Sequence, residues 1–212
     1  MNSKLTKQTF ILLVFLLYLQ NRTNSILGGQ LLKLPTLAII FRFPWGYMNL
    51  YFEIPTKLSK YMNDGTTNKN SPTMDSTFSI AEQVFAKWLL GDTNYKNERL
   101  KLIPYVAEGP WVVRNMVTGR PAIIGKKLPV TYQFSPTSSD GKSSPLLIAT
   151  LDIGNSSTTA KRIVSVCRRY MSALTVDIGF VIQGDSAAEL PEQMLGAMRI
   201  HGPDPLKAPK LN

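Results

Sequence analysis

Between Ser156 and Ile182 the sequence carries one continuous pattern that any fold of this chain has to accommodate. On a helical wheel Ile163, Val166, Cys167, Tyr170, Ala173 and Leu174 share one side, and Lys161, Arg162, Ser165, Arg168, Arg169 and Ser172 share the other. Ser156 to Thr159 supply capping candidates ahead of it. The pattern predicts a long amphipathic helix over 156–182, either wrapped by a sheet or laid on a bilayer surface. Its last third, TVDIGFVI, is apolar nearly all round. Asp177 therefore falls on the buried side and needs a basic or hydrogen-bonding partner, because an unpaired buried carboxylate is strongly destabilising.

What could wrap such a helix is a set of short β-like runs. Thr36 to Phe43 and Tyr47 to Glu53 flank Pro44-Trp45-Gly46 and predict a hairpin with a three-residue turn. Arg99 to Val106 predicts a strand that lies at an edge or ends at Pro104. Lys127 to Phe134, Leu146 to Ile153 and Leu195 to His201 predict three more. Two shorter helices are expected. One spans 79 to 90, opened by the capping pair Ser79 and Glu82, and the other spans 110 to 118, begun by Pro110 and closed by Gly119. Residues 56 to 77, rich in Asn, Thr, Ser and Lys, predict an exposed loop.

The inventory of reactive side chains narrows the function. The 212 residues include one cysteine, Cys167, and one histidine, His201. An internal disulfide is impossible, and no set of N and S ligands exists for zinc. Cys167 reads as a small apolar residue on the buried side of its helix. Nucleophilic catalysis would have to pass through His201. GRPAIIGKK, residues 119 to 127, fails as a phosphate-binding P-loop, with five residues between its glycines and Lys127 where Ser or Thr should reach magnesium. Asp152-Ile153-Gly154-Asn155 has no second phosphate-facing glycine. No paired carboxylates stand out, so neither enzyme activity nor a cofactor is expected.

Lys plus Arg exceed Asp plus Glu by 24 to 14, a net charge of +10 that asks for an anionic partner. Lys96, Arg99, Lys101, Arg114, Arg120, Lys126 and Lys127 face only Glu98 and Glu108 between residues 95 and 130. Residues 161 to 169 add four more cations and no acid. The basic segments lack the interleaved aromatics of a nucleic-acid platform, so no nucleic acid is expected. Trp111 followed by Arg114, Arg120, Lys126 and Lys127 suits the headgroup region of an anionic phospholipid surface instead, with core packing of Trp111 as the competing reading.

At the N-terminus, Lys4 and Lys7 precede an apolar run, Phe10 to Leu19, too short to span a bilayer and compatible with a signal peptide cut near Ile26, a buried strand or helix, or a replaced domain start. Sequons at Asn21 and Asn155 matter only in the secreted case.

Leu102-Ile103-Pro104, Glu108-Gly109-Pro110-Trp111-Val112-Val113, Gly125-Lys126-Lys127-Leu128, Leu151-Asp152-Ile153-Gly154, Leu190-Pro191-Glu192 and Leu195-Gly196 occur in order. Together they resemble the C-terminal domain of the plant Enhanced Disease Resistance 2 proteins, over about residues 36 to 201. The resemblance implies a domain found after pleckstrin-homology and START lipid-binding domains, in proteins that act at membranes and regulate defence and cell death, with no enzyme activity. Residues 4 to 29 stand where the family carries further strands, which threatens closure of the sheet.

The expectations are then an α+β fold, a curved and mainly antiparallel sheet packed around the long helix, with a START-like grip as one form of it. Residues 1–35 form a hydrophobic N-terminal segment, 36–201 the domain and 202–212 a disordered tail. The function expected is a non-catalytic lipid- or membrane-associating regulatory domain, cytoplasmic and peripheral, or in the secretory pathway if residues 1–25 are cleaved. A protein-interaction module is the alternative. Trp111, Arg114, Arg120, Lys126 and Lys127 are the expected anionic-lipid contacts, and Ile163, Cys167, Tyr170 and Leu174 the apolar face of the helix.

Overall fold

The structure, a computed structural model, describes residues 14–16, 34–66, 72–137 and 143–204. Its elements are β1 (Val14–Leu16), β2 (Thr36–Phe43), β3 (Gly46–Glu53), α1 (Ile80–Leu90), α2 (Thr93–Arg99), β4 (Leu100–Glu108), α3 (Trp111–Val117), β5 (Ala122–Ile123), β6 (Val130–Ser135), β7 (Leu146–Asp152), α4 (Thr158–Tyr170), β8 (Thr175–Ile182) and β9 (Met194–His201). They form two open sheets, one in the order β1-β3-β2-β7-β6 and the other β5-β4-β8-β9. All neighbours are antiparallel except β2 and β7. The fold is α+β and dominated by antiparallel pairing, as expected, and neither sheet closes.

The predicted helix over 156–182 is where sequence and structure part. It stops at Tyr170, a 3₁₀ turn follows at Met171–Ala173, and TVDIGFVI is the strand β8. β8 is paired along its length on both sides, with β4 and β9, and its Phe180, Val181 and Ile182 are buried. A central strand with so many apolar residues reads as a nearly continuous apolar run, which periodicity alone cannot separate from a buried helix. Its β-branched Thr175, Val176, Ile178, Val181 and Ile182 favour the pleated conformation. No residue of α4 is fully buried, and among the described residues no sheet encloses it.

Several smaller expectations also change. Phe43 pairs with Gly46, so the hairpin turn is the two residues Pro44 and Trp45 rather than three. Thr56–Tyr61 is a 3₁₀ helix with Leu58 and Tyr61 fully buried, not exposed loop. α2 was not visible in the pattern, because its turns carry almost no apolar residue. Other expectations hold. Ser79 and Glu82 form the capping box of α1, and β6, β7 and β9 fall on the predicted runs within a few residues. Pro104 sits in β4 beyond the short β5, and its carbonyl accepts from Gly119 N–H at 3.2 Å on the side away from β8, where a missing N–H breaks no sheet bond. Within the run Phe10 to Leu19, β1 pairs with Asn49 to Tyr51 of β3. The rest of that run, and the tail from residue 205, lie outside the described residues.

The core lies between the sheets. Phe180 of β8 meets Phe52 of β3 edge-on at 5.6 Å and Phe41 of β2 at 6.4 Å. A Cβ at Gly196 of β9 would overlap the Phe52 ring, so only glycine lets the sheets approach here. α1 adds Val84, Phe85, Trp88 and Leu89. Trp88 meets Tyr132 of β6 edge-on at 6.1 Å and donates its indole N–H to the Lys96 carbonyl at 3.1 Å.

Lys96 itself is fully buried. Its ammonium donates to the Leu89 carbonyl (2.9 Å), the Asn63 side-chain oxygen (3.2 Å) and the Gly91 carbonyl, and faces the Tyr132 ring at 5.8 Å. Those carbonyls are orphans at the end of α1, where a cation is also favoured by the helix dipole. Burial pushes the Lys96 ammonium down to about 8 from its ordinary 10.5. Between these values the unfolded chain holds more protons than the folded one, so this group's contribution to stability rises from pH 8 toward 10.5 and is least below pH 8. Lys96→Met should cost about 2 to 4 kcal/mol, since it leaves the Gly91 carbonyl without its donor and the Leu89 carbonyl with only the Asn63 side-chain amide. Urea midpoints should fall accordingly, and the rise between pH 8 and 9.5 should be absent from the variant.

Candidate functional site

Where the charges find partners defines the surface that is left over. Lys57 pairs with Glu82, Lys87 with Glu189 and Lys101 with Glu192, each at 2.6 Å, and Arg99 pairs with Asp185. Arg199 grips Asp177 through two bonds of 2.6 and 2.7 Å and holds its carboxyl below the usual range. Asp177 thus has the basic partner expected of it, but on the half-exposed outer face of β8 rather than inside. Among the described residues Arg114, Arg120, Lys126, Lys127, Lys161, Arg162, Arg168 and Arg169 have no carboxylate partner. The unneutralised charge gathers on α3, α4 and the chain between α3 and β6.

α3 is positioned by the end of β4. Gly109 turns with φ +143°, and a side chain there would overlap Leu174. Pro110 caps the helix, which its fixed φ favours. Val113 is buried, while Trp111 is 72% exposed with Arg114 and Asn115 beside it on the outer face. Trp111 is therefore not core.

The five predicted contacts do not form one cluster. After α3 the chain runs back along the edge of β4: Thr118 Oγ1 accepts from Val106 N–H, Gly119 lies by Pro104, and Ala122 and Ile123 pair with Leu102 and Lys101. Trp111 and Arg114 consequently sit at the Glu108 end of β4, Arg120 lies midway, and Lys126 and Lys127 sit at the Leu100 end, where Gly125 abuts Asn97 of α2. Seven strand residues separate the two ends, a distance of roughly 25 Å.

What packs on the buried face of α3 is α4. Val113 and Val117 of α3 join Val106, Leu174, Val166, Cys167, Tyr170 and Val176 in a second apolar cluster. Cys167, Tyr170 and Leu174 cover α3 as the apolar face predicts, although Leu174 lies beyond the helix, and Ile163 is half-buried. Burial pushes the Cys167 thiol up to about 11, so it behaves as a packing residue. The opposite face of α4 presents Lys161, Arg162, Arg168 and Arg169, all exposed. Arg168 lies over the Trp45 ring at 5.1 Å, and Trp45 is stacked on Phe43 at 4.6 Å. Sequence reasoning noted the α4 cations but did not join them to the site, and it missed Trp45. The legible signal was a helix of thirteen residues with four cations and no acid.

His201 takes another place. Thr175 Oγ1 donates to Glu108 Oε2 at 2.6 Å and lies 3.1 Å from His201 Nδ1, so the hydroxyl proton is committed to Glu108 and the imidazole donates to the hydroxyl oxygen. Among the described residues no group of His, Cys, Asp and Glu could hold a metal, and no helix is long and apolar enough to cross a membrane.

The basic face of α4 has no acid three or four residues away to pair with along the helix. Ser165→Glu would place a carboxylate one turn from Lys161, Arg162, Arg168 and Arg169. It should stabilise the fold by about 0.5 to 1 kcal/mol in thermal or urea unfolding, while weakening whatever anionic ligand the face takes.

Residues 18–204 match a family model described as "Protein ENHANCED DISEASE RESISTANCE 2, C-terminal". A relative from Arabidopsis thaliana, "Protein ENHANCED DISEASE RESISTANCE 2-like", is 35% identical over 121 residues, which make up 57% of this chain and 16% of that protein. The aligned part therefore spans a small fraction of the relative's length. No solved structure matches.

Proposed function

The chain belongs to the Enhanced Disease Resistance 2 C-terminal family, and from that premise we propose that it is a non-catalytic regulatory domain that associates peripherally with anionic membrane surfaces on the cytoplasmic side. The observation that carries this reading is the exposure of Trp111 and Arg114 on α3 together with the outer face of α4, the helix packed on the buried side of α3, which holds four exposed cations without carboxylate partners. An indole partitions to the boundary between headgroups and acyl chains, and each nearby cation contributes about 1 kcal/mol at an anionic leaflet. Guanidinium groups also form paired hydrogen bonds to phosphate. α4 would lie along the headgroups with its apolar side still packed on α3, so docking requires no unfolding.

A protein partner is the second reading, favoured by the outer face of the smaller sheet. There Tyr105 and Met194 are exposed beside the Asp177–Arg199 pair and His201, and β9 has no neighbour on its far side among the described residues.

Vesicle co-sedimentation separates the two. Binding should rise with the phosphatidylserine fraction, fall steeply between 0.1 and 0.5 M salt as screening shortens to a few ångströms, and drop about tenfold or more for Arg168→Glu with Arg169→Glu and for Trp111→Ala. Equal binding to neutral vesicles, unaffected by those substitutions, would sink the membrane reading.

A further inference from the structure

The tip of the β2–β3 hairpin forms one wall of a cleft of about 480 Å³. Arg42, Phe43, Pro44, Trp45, Gly46 and Tyr47 line one side, and Asp152, Gly154 and Asn155 the other. The cleft exists because β2 and β7 are parallel neighbours that end together: Arg42 pairs with Asp152, and Ile153 N–H donates to the Arg42 carbonyl at 2.9 Å. From there β2 turns into its hairpin and β7 departs toward α4, so the chain parts above the strand ends. In open sheets this place, beyond the carboxyl ends of parallel strands whose connections diverge, is where ligands tend to sit.

The donors around it are not spent. Arg42 is 4.0 Å from Asp152 and its side chain is 57% exposed, too loose for a committed ion pair. Phe43 stacks on the Trp45 indole, and the Arg168 guanidinium, which has no carboxylate partner among the described residues, lies over the same ring at 5.1 Å. Asp152 is tied down instead: its Oδ1 accepts from Asn155 N–H at 3.1 Å and its Oδ2 from Asn155 Nδ2 at 2.8 Å. Gly154 keeps the floor open, since a Cβ there would come within 3.2 Å of Asp152 Oδ1 and 4.0 Å of Pro44.

The hairpin side thus offers the Arg42 guanidinium, an aromatic edge and the Tyr47 phenol, with Arg168 over the Trp45 ring, while the other side offers a carboxylate and a side-chain amide. The first suits a phosphate, and the second suits hydroxyl groups. We propose that this cleft binds a phosphorylated polyol, Arg42 and Arg168 taking the phosphate beside Trp45 while Asp152, Asn155 and Tyr47 meet the hydroxyls. Its volume lies within the range of small-molecule sites. The polyol is either a free sugar phosphate or the headgroup of a lipid, and only the lipid-borne case rests on the membrane reading above.

Calorimetry on the full chain with myo-inositol 1-phosphate, unphosphorylated myo-inositol and inorganic phosphate tests the site. The phosphorylated polyol should bind about tenfold or more tightly than either part alone, and Arg42→Ala, Trp45→Ala and the space-filling Gly154→Val should each weaken it about tenfold. Arg42→Ala should leave binding to phosphatidylserine vesicles within about twofold, because Arg42 is not on α4. That makes failure of the cleft distinguishable from failure of the membrane face. Vesicles carrying phosphatidylinositol phosphate, matched in charge to phosphatidylserine, identify the source. A gain that depends on Arg42 assigns a lipid headgroup, and retained soluble binding without that gain assigns a free sugar phosphate. Equal affinity for inorganic phosphate and the phosphorylated polyol, or affinity unchanged in Arg42→Ala and Trp45→Ala, overturns the proposal.

Discussion

The joint between the two sheets turns on one buried cation. Lys96 reaches back to the carbonyls of Leu89 and Gly91 and to Asn63, and its own carbonyl takes the Trp88 indole proton. A lysine with no solvent exposure is tolerated because its ammonium is saturated with oxygen acceptors and sits over an aromatic face. That arrangement fixes the angle between α1 and α2. The Tyr132 hydroxyl donates to Asn97 of α2 at 3.2 Å, which ties the helix to the larger sheet, and α2 runs straight into β4 of the smaller one. The relative placement of the sheets, and of everything carried on β4, follows from this local chemistry.

Two consequences reach the surface. β4 ends where α3 begins, so the orientation of the smaller sheet decides that Trp111 points outward and that Val113 and Val117 accept α4. The parallel contact of β2 with β7 needs a long excursion through the smaller sheet before the chain returns. It leaves strand ends side by side where a hairpin tip and a helix connection diverge. The exposed basic face and the cleft are therefore products of the same topology, with Arg168 as the side chain that touches both.

The charge distribution separates structural from functional ions. The acidic side chains after β8 draw Lys87, Arg99 and Lys101 into pairs that fasten that loop to helices and strands. No acid of the described chain approaches α4 within ion-pair distance. The excess of cations read from composition becomes a directed field, which attracts and orients an anionic surface more effectively than the same charge spread evenly.

Much of this was legible in residue order. The capping box at Ser79, the hairpin runs, the strand near Pro104 and the outward basic face of residues 161–169 follow from local spacing, because each depends on neighbours within one turn or one strand. The ordered motifs from Leu102 to Gly196 likewise pointed to the family. Three things were not legible. TVDIGFVI became a strand because β4 and β9, distant in sequence, cover both its sides and supply its backbone partners, a tertiary fact that outweighs a helical wheel. Lys96 looked like one more surface cation, since only the folded ends of α1 and Asn63 assemble the acceptors that bury it. The split of the predicted site, Trp111 at one end of β4 and Lys127 at the other, arose because the intervening chain doubles back along that strand's edge. By itself the sequence determined which local pieces form and what sign of charge they carry. Only the tertiary structure decided which pieces meet, because register and burial are set by contacts between residues far apart in the chain.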